Sequence, residues 1–228
     1  MVDSGFIETS IFIGYCVTAD QHHDNCRSYV EGDSRDPDAE LVSTERVRNE
    51  YYRTKDAVVS RLTKQLQEHR QRVKQFLRSC DDPIGLPVLE SLKTQTLDSG
   101  WDIQEFMVDF YEDYDYVYHE NLNQDLRDLI RDIESLPRDR IDDLDERVTY
   151  YEPTDTYEEI DREIREDSLF DEMESEDRSI CLEAHDLAYV EGDDVEFATA
   201  NPQDFCYDGR EEKLLELTEL AQIRNLAN

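Results

Sequence analysis

Short apolar runs and longer helical patterns alternate along this chain, and the period of each sets the element expected there. Phe6-Ile7 and Leu41-Val42 have the length and character of short buried strands, and Val195-Glu196-Phe197-Ala198-Thr199 that of an alternating one. Ile11 to Ile13 open the element after the first strand. Cys26, Tyr29 and Val30 recur at helical spacing behind a polar stretch over residues 19–26. That stretch holds His22 and His23 with Asp20 and Asp24; consecutive histidines diverge on a helix, so a solvated loop is expected rather than a metal site. Residues 31–40 form a turn-rich linker.

The longest pattern runs from Thr44 to about Arg78 without Gly or Pro. Val47, Tyr51, Val58, Leu62, Leu66, Val73 and Leu77 recur every three or four positions and more, predicting a helix about 50 Å long. Ser43 or Thr44 would cap it, and Asp81-Asp82-Pro83 would stop it. Residues 80–101 read as a Pro/Gly-containing connection ending at the single tryptophan, Trp101. Phe106 to Tyr118 predicts a helix with a frayed end, and Leu122 to Ile133 a second. Pro137 breaks the pattern, and Ile141, Leu144 and Val148 suggest a shorter third helix. Val148-Thr149-Tyr150-Tyr151 suits a strand, and residues 157–177 a solvated helix or lid. Ile180 to Val190 predicts a helix, Gly192-Asp193-Asp194 a turn, and Leu214 to Leu220 a closing helix. Helices alternating with short strands predict an α/β fold around a parallel sheet with helices on both faces. Sites in such sheets gather at the carboxyl ends of the strands.

Composition changes this picture in two ways. With 58 acids against 24 bases, of which five are Lys, the chain carries a charge of −34. Acid excess with depleted Lys suits molar salt, where screening falls to about 3 Å and self-repulsion is weak, so a halophilic protein is expected. The acids concentrate between Asp102 and Asp194. The long helix is the exception: from Arg46 to Arg78 ten bases face three acids. Such a strip either pairs with the acidic remainder or meets a phosphate backbone. Five cysteines without paired spacing argue for a reducing cytoplasm and against a disulfide framework or Cys-based zinc site. The N-terminus lacks a basic signal-peptide region, and no apolar run has the length of a membrane span.

Four segments in order carry a family resemblance. They are Phe6-Ile7-Glu8-Thr9-Ser10, Val42-Ser43-Thr44 through Asn49-Glu50, Glu183-Ala184 with Ala188, and Thr199-Ala200-Asn201-Pro202-Gln203-Asp204-Phe205. Together they resemble the PIN domain, the metal-dependent nuclease module of VapC-type toxins and RNA-processing enzymes. The resemblance implies a three-layer α/β/α fold with a short-stranded central parallel sheet. The whole chain, 1–228, would be one such domain with 80–175 as an acidic, mostly helical insert.

It also implies a site. Glu8, Glu50, Glu183 and Asp204 would act as catalytic metal ligands for Mg²⁺ or Mn²⁺, hard cations that favour carboxylate oxygens. Ser10, Thr199 and Asn201 would orient ligands or a water, and Arg46, Arg53, Arg61 and Lys64 would guide RNA. Glu8 and Asn201 depart from the family pattern, which has Asp at the first place and often a second acid at the other. The third acid has two registers, Glu183, helped by Asp186 one turn on, or Asp177; six residues apart, Asp177 and Glu183 cannot both enter one site. The implied function is endoribonuclease hydrolysis of single-stranded RNA, toxin-type or housekeeping, with an antitoxin or other protein partner, or a homodimer, open. The departures leave a second function open, an eroded PIN-fold module that binds protein or RNA. A third, an acidic nucleic-acid mimic, fits the strand-helix alternation less well.

Overall fold

The computed structural model describes residues 2–207 and 209–227. The chain opens with β1 (Ser4–Ile7), buried throughout, followed by α1 (Thr9–Cys16) and α2 (His23–Glu31), which ends at Gly32 in the left-handed region (φ 92°). After β2 (Glu40–Thr44) comes α3 (Glu45–Phe76), 32 residues long. Thr44 caps it by accepting from the Val47 N–H, one of the two residues expected there. The chain then leaves the sheet through β3 (Ile84–Gly85), α4 (Leu86–Leu97), α5 (Gln104–Glu112), β4 (Tyr116–Val117) and α6 (His119–Arg147). It returns as β5 (Thr149–Tyr151), continues through α7 (Glu158–Glu166) and α8 (Ser175–Glu191), and reaches β6 (Val195–Thr199). The end is α9 (Pro202–Phe205), α10 (Arg210–Leu217) and β7 (Gln222–Asn225).

Five strands form one parallel sheet in the order β5-β2-β1-β6-β7, and β3 and β4 form a separate antiparallel pair. Ser4 pairs with Glu40 on one side and Val195 on the other, so β1 is central. The fold is α/β with a parallel sheet, as the alternation of elements predicts. Phe6 and Phe197 stack across adjacent strands with centroids 5.9 Å apart, and Phe205 lies 4.9 Å from Phe197. The long helices α3 and α6 pack together, each with a buried apolar stripe.

Four features differ from the expected pattern. Residues 80–101 contain α4, because Pro87 sits in its first turn, where a missing N–H is harmless, and Leu89 and Leu92 bury behind it. Pro137 lies inside α6 and does not end it; it is buried, and the Tyr51 hydroxyl donates to its carbonyl (3.2 Å), so tertiary packing holds the helix through the lost donor. β6 is buried on both faces, not alternately, and Glu196 within it is 2% exposed. Its carboxylate accepts from Tyr29 Oη (2.8 Å) and Gln222 Nε2, with Arg224 3.7 Å away. Finally β7 follows the closing helix and extends the sheet beside β6. The edge strand β5 falls within 80–175, so that span contributes to the central sheet as well as to the helical excursion. All five cysteines are free thiols. Among the described residues no helix is long and apolar enough to cross a membrane.

Candidate functional site

The carboxyl ends of β1 and β6 meet the start of α3 and α8 at a cleft of about 410 Å³. Glu8, Glu50, Asp177, Asn201 and Asp204 line it, each from a different turn or element. Glu8 follows β1 directly and caps α1: one carboxylate oxygen accepts from the Ser10 N–H (2.6 Å), the other from the Ser10 hydroxyl. Ser10 Oγ in turn accepts from the Ala200 N–H (2.7 Å), tying the end of β1 to the end of β6. The Thr199 hydroxyl accepts from the Asn201 N–H (2.8 Å) and shapes the turn into α9. Ser43 Oγ donates to the Ile7 carbonyl (2.8 Å), fixing β1 against the end of β2.

The acids are held individually. The Thr9 hydroxyl donates to Glu50, Asn201 Nδ2 donates to Asp204, and the Arg210 guanidinium stands 3.8 Å from the other Asp204 oxygen. Burial raises the Glu8 pKa, while hydrogen bonds from Ser10, Thr199 and Ala200 oppose the rise. Asp177 is pushed up to about 7, first by burial and then by the negative charges of Asp204, Glu8 and Glu50. Asp177 therefore ionises only against the field of the other three carboxylates.

Glu183 lies elsewhere. It accepts from Thr44 Oγ1 (2.5 Å) and from the Arg46 guanidinium, and it faces a second cavity of about 610 Å³. Of the two registers on α8, Asp177 is the one that reaches the cleft; Glu183 is drawn away by partners from β2 and α3. Asp186 is also apart. Tyr151, Thr154 and Tyr157 donate to it (2.7 to 2.9 Å), and these bonds outweigh burial and hold its pKa below the usual carboxylate value. His185, beside it, is buried and accepts from the Glu219 N–H through Nδ1 (2.9 Å).

The four expected RNA-guiding bases are dispersed. Arg61 lines the cleft and pairs with Asp102 (3.0 Å); Arg53 pairs with Glu176 (3.6 Å), Arg46 with Glu183. Lys64 is exposed on another groove beside Asp56 and Glu134. Asp20 and His22 lie in the partly exposed loop expected before α2, and that loop forms part of the cleft wall, as do Thr54, Glu172 and Glu174. The acid-rich spacing around His22 was the available signal, but only the α1–α2 turn brings it to the site. His23 is directed away: its Nδ1 bonds to the Gly14 carbonyl (2.7 Å).

Among the described residues, no group of three or more His, Cys, Asp or Glu is gathered closely enough to hold a metal ion directly. Four carboxylates and an amide nevertheless give the cleft oxygen donors, the ligand type that hard divalent cations prefer. Mg²⁺ in general keeps several waters and binds through one or two carboxylates. Comparison with family models, curated proteins and solved structures finds no match to this chain.

Proposed function

We propose that the protein is a PIN-like phosphodiesterase that hydrolyses RNA with Mg²⁺ or Mn²⁺, its helices and parallel sheet forming three α/β/α layers. The observation that carries this reading is the convergence of Glu8, Glu50, Asp177 and Asp204 from four segments on one cleft at the carboxyl edge of the sheet. The raised Asp177 pKa supports it, since a divalent cation would relieve the repulsion that causes the shift. One or two of Glu50, Asp177 and Asp204 would hold the ion together with waters, with Glu8 positioned by Ser10. A bound divalent cation supplies Lewis acidity toward a phosphate oxygen and its growing charge. Asn201 orients Asp204, Thr9 orients Glu50, and Arg61 offers a cation at the cleft mouth for the substrate phosphate.

The test is cleavage of single-stranded RNA in high KCl with Mn²⁺, comparing the wild type with Glu50→Gln and Asp177→Asn. Cleavage that falls at least about a hundredfold in both variants supports the reading. No wild-type cleavage, or unchanged rates in both variants, removes it. A second reading, an eroded module that binds protein or RNA without catalysis, draws on one observation: both Glu8 oxygens are already engaged by Ser10. Absence of saturable Mn²⁺ binding by calorimetry would favour it. Membership of a toxin-antitoxin pair belongs to the same proposal and turns on whether a small partner protein suppresses the activity.

A further inference from the structure

The bases of α3 fall into two sets. From Arg46 to Arg61 five of them pair with the chain's own acids: Arg46 with Glu183, Arg48 with Asp145, Arg53 with Glu176, Lys55 with Asp56 and Arg61 with Asp102. Among the described residues Lys64, Arg70, Arg72, Lys74 and Arg78 have no such partner; Arg72 lies over the Trp101 ring (4.5 Å), and Arg70, Lys74 and Arg78 gather at one groove. In a chain with 58 acids, none of these three forms an ion pair among the described residues. They recur every fourth residue, Arg70 and Lys74 on α3 and Arg78 in the 3-10 turn (Leu77–Ser79) that follows it, and line one face. That face makes one wall of a groove of about 250 Å³, the start of α6 makes the other, and Val73 and Leu77 are buried at its base. Arg70 Nε donates to Asn123 Oδ1 (3.0 Å), which holds the guanidinium against α6. Partial burial and the neighbouring Arg127 push the Arg70 pKa down, as expected for a cation without a compensating anion. Glu120 lines the same groove yet pairs with none of the three.

We propose that this groove binds phosphate groups of an RNA strand, as an exosite separate from the carboxylate cleft. The proposal rests on the RNA reading above and extends it to the length of substrate recognised. Lys74 lies 24 residues beyond Glu50 on one helix, which is about 36 Å along the axis. The cleft residues Glu50, Thr54 and Val58 lie roughly half a turn around α3 from the groove, with exposed Arg53 and Lys64 on the surface between. A path around that surface is about 40 Å, or about a dozen nucleotides at roughly 3.4 Å each. Guanidinium forks match phosphate oxygens, and a carboxylate already at the groove leaves the bases unpaired; both favour phosphate over an acidic protein segment. In molar salt only charges at contact distance act, and a groove with three cations on one wall provides such contacts.

The experiment measures binding without chemistry, using full-length protein with chelator, fluorescent single-stranded RNAs of about 6 and about 30 nucleotides, and a salt titration. The variant is Arg70→Gln/Lys74→Gln/Arg78→Gln. A control of equal charge change is Arg131→Gln/Arg162→Gln/Arg165→Gln, and circular dichroism confirms that both fold. The groove variant is expected to lose about tenfold or more in affinity for the long RNA, with the salt slope reduced by about 2, and nothing for the short one; the control is expected to match wild type. Equal affinities for the long RNA in wild type and groove variant, equal losses in variant and control, or competition by polyglutamate as effective as by RNA would each overturn the exosite. Cleavage of the short RNA reports on the carboxylate cleft alone, so failure of the nuclease reading is seen separately.

Discussion

Replacing Asp177 with Asn tests whether the cleft carboxylates form one electrostatic unit. The Asp177 pKa is about 7 against an ordinary 3.8, so the folded protein holds this proton more tightly than the unfolded chain. Stability is therefore fully retained below the unfolded value and falls as pH rises from about 4 toward 7; above that, ionised Asp177 is a constant penalty. A shift of about three units converts to about 4 kcal/mol at 1.36 kcal/mol per unit. Asp177 is partly exposed in an open cleft and salt screens its neighbours, which reduces the penalty to about 1–2 kcal/mol. Asp177→Asn removes it at little change in volume. Without metal and near pH 8, the variant should melt about 2–8 °C above wild type, and the gain should shrink by more than half near pH 4. Thermal unfolding followed by circular dichroism in high KCl with chelator checks both points. Mn²⁺ should raise the wild-type midpoint more than that of the variant, because it relieves the repulsion only where Asp177 is charged. A variant that melts at or below wild type near pH 8, or that gains equally at both pH values, would refute the electrostatic account.

Three further outcomes follow from contacts outside the cleft. Glu183→Ala leaves Thr44 and Arg46 without their acceptor and should destabilise by about 1–3 kcal/mol in denaturant titration, while Mn²⁺ binding by calorimetry stays within about twofold of wild type. Tyr29→Phe strips the 2.8 Å hydrogen bond from buried Glu196 and should lower stability by about 1–2 kcal/mol, with Tyr29→Leu worse because packing is lost too. At Gly14, a new Cβ would meet the Cys26 sulfur at 2.4 Å, so Gly14→Ala should cost about 1–3 kcal/mol, and Gly14→Ala/Cys26→Ala should recover part of it.

The sheet's central strands and α3 were legible because each carries its own period: continuous apolar runs at Phe6-Ile7 and Leu41-Val42, and a sustained helical repeat starting at a cap. The cleft was legible in outline, since Glu8 sits just past β1 and Glu50 and Asp204 lie in the helices that follow β2 and β6. The choice between Asp177 and Glu183 was not. Both lie on α8, and what separates them is Thr44 and Arg46, which capture Glu183 from a distant part of the chain. The same limit applies to Glu196, whose alternation signals a solvent face although Tyr29 and Gln222 satisfy it in the interior. Pro87 and Pro137 carry one residue type with opposite expectations: in the first turn it starts a helix, and in the interior packing overrides its cost. β7 has a single buried apolar residue, Ile223, and gains its identity from the β6 edge rather than from local propensity.

The central place of β1 has a consequence for how the chain is made. Its first neighbour, β2, follows within the first 44 residues, but its second, β6, begins at Val195. At about 5–20 residues per second, roughly 10–30 s of synthesis separate the two partners. Through that interval the most apolar segment of the protein has one ribbon edge open, and an isolated parallel pair is too weak to close on itself. The helices α3 and α6 need only local contacts to begin forming and can stand before β6 arrives. A nascent chain would thus carry a helical scaffold early and an unprotected sheet until β6 is made. Premature termination before β6 should yield an aggregating fragment instead of a smaller working domain.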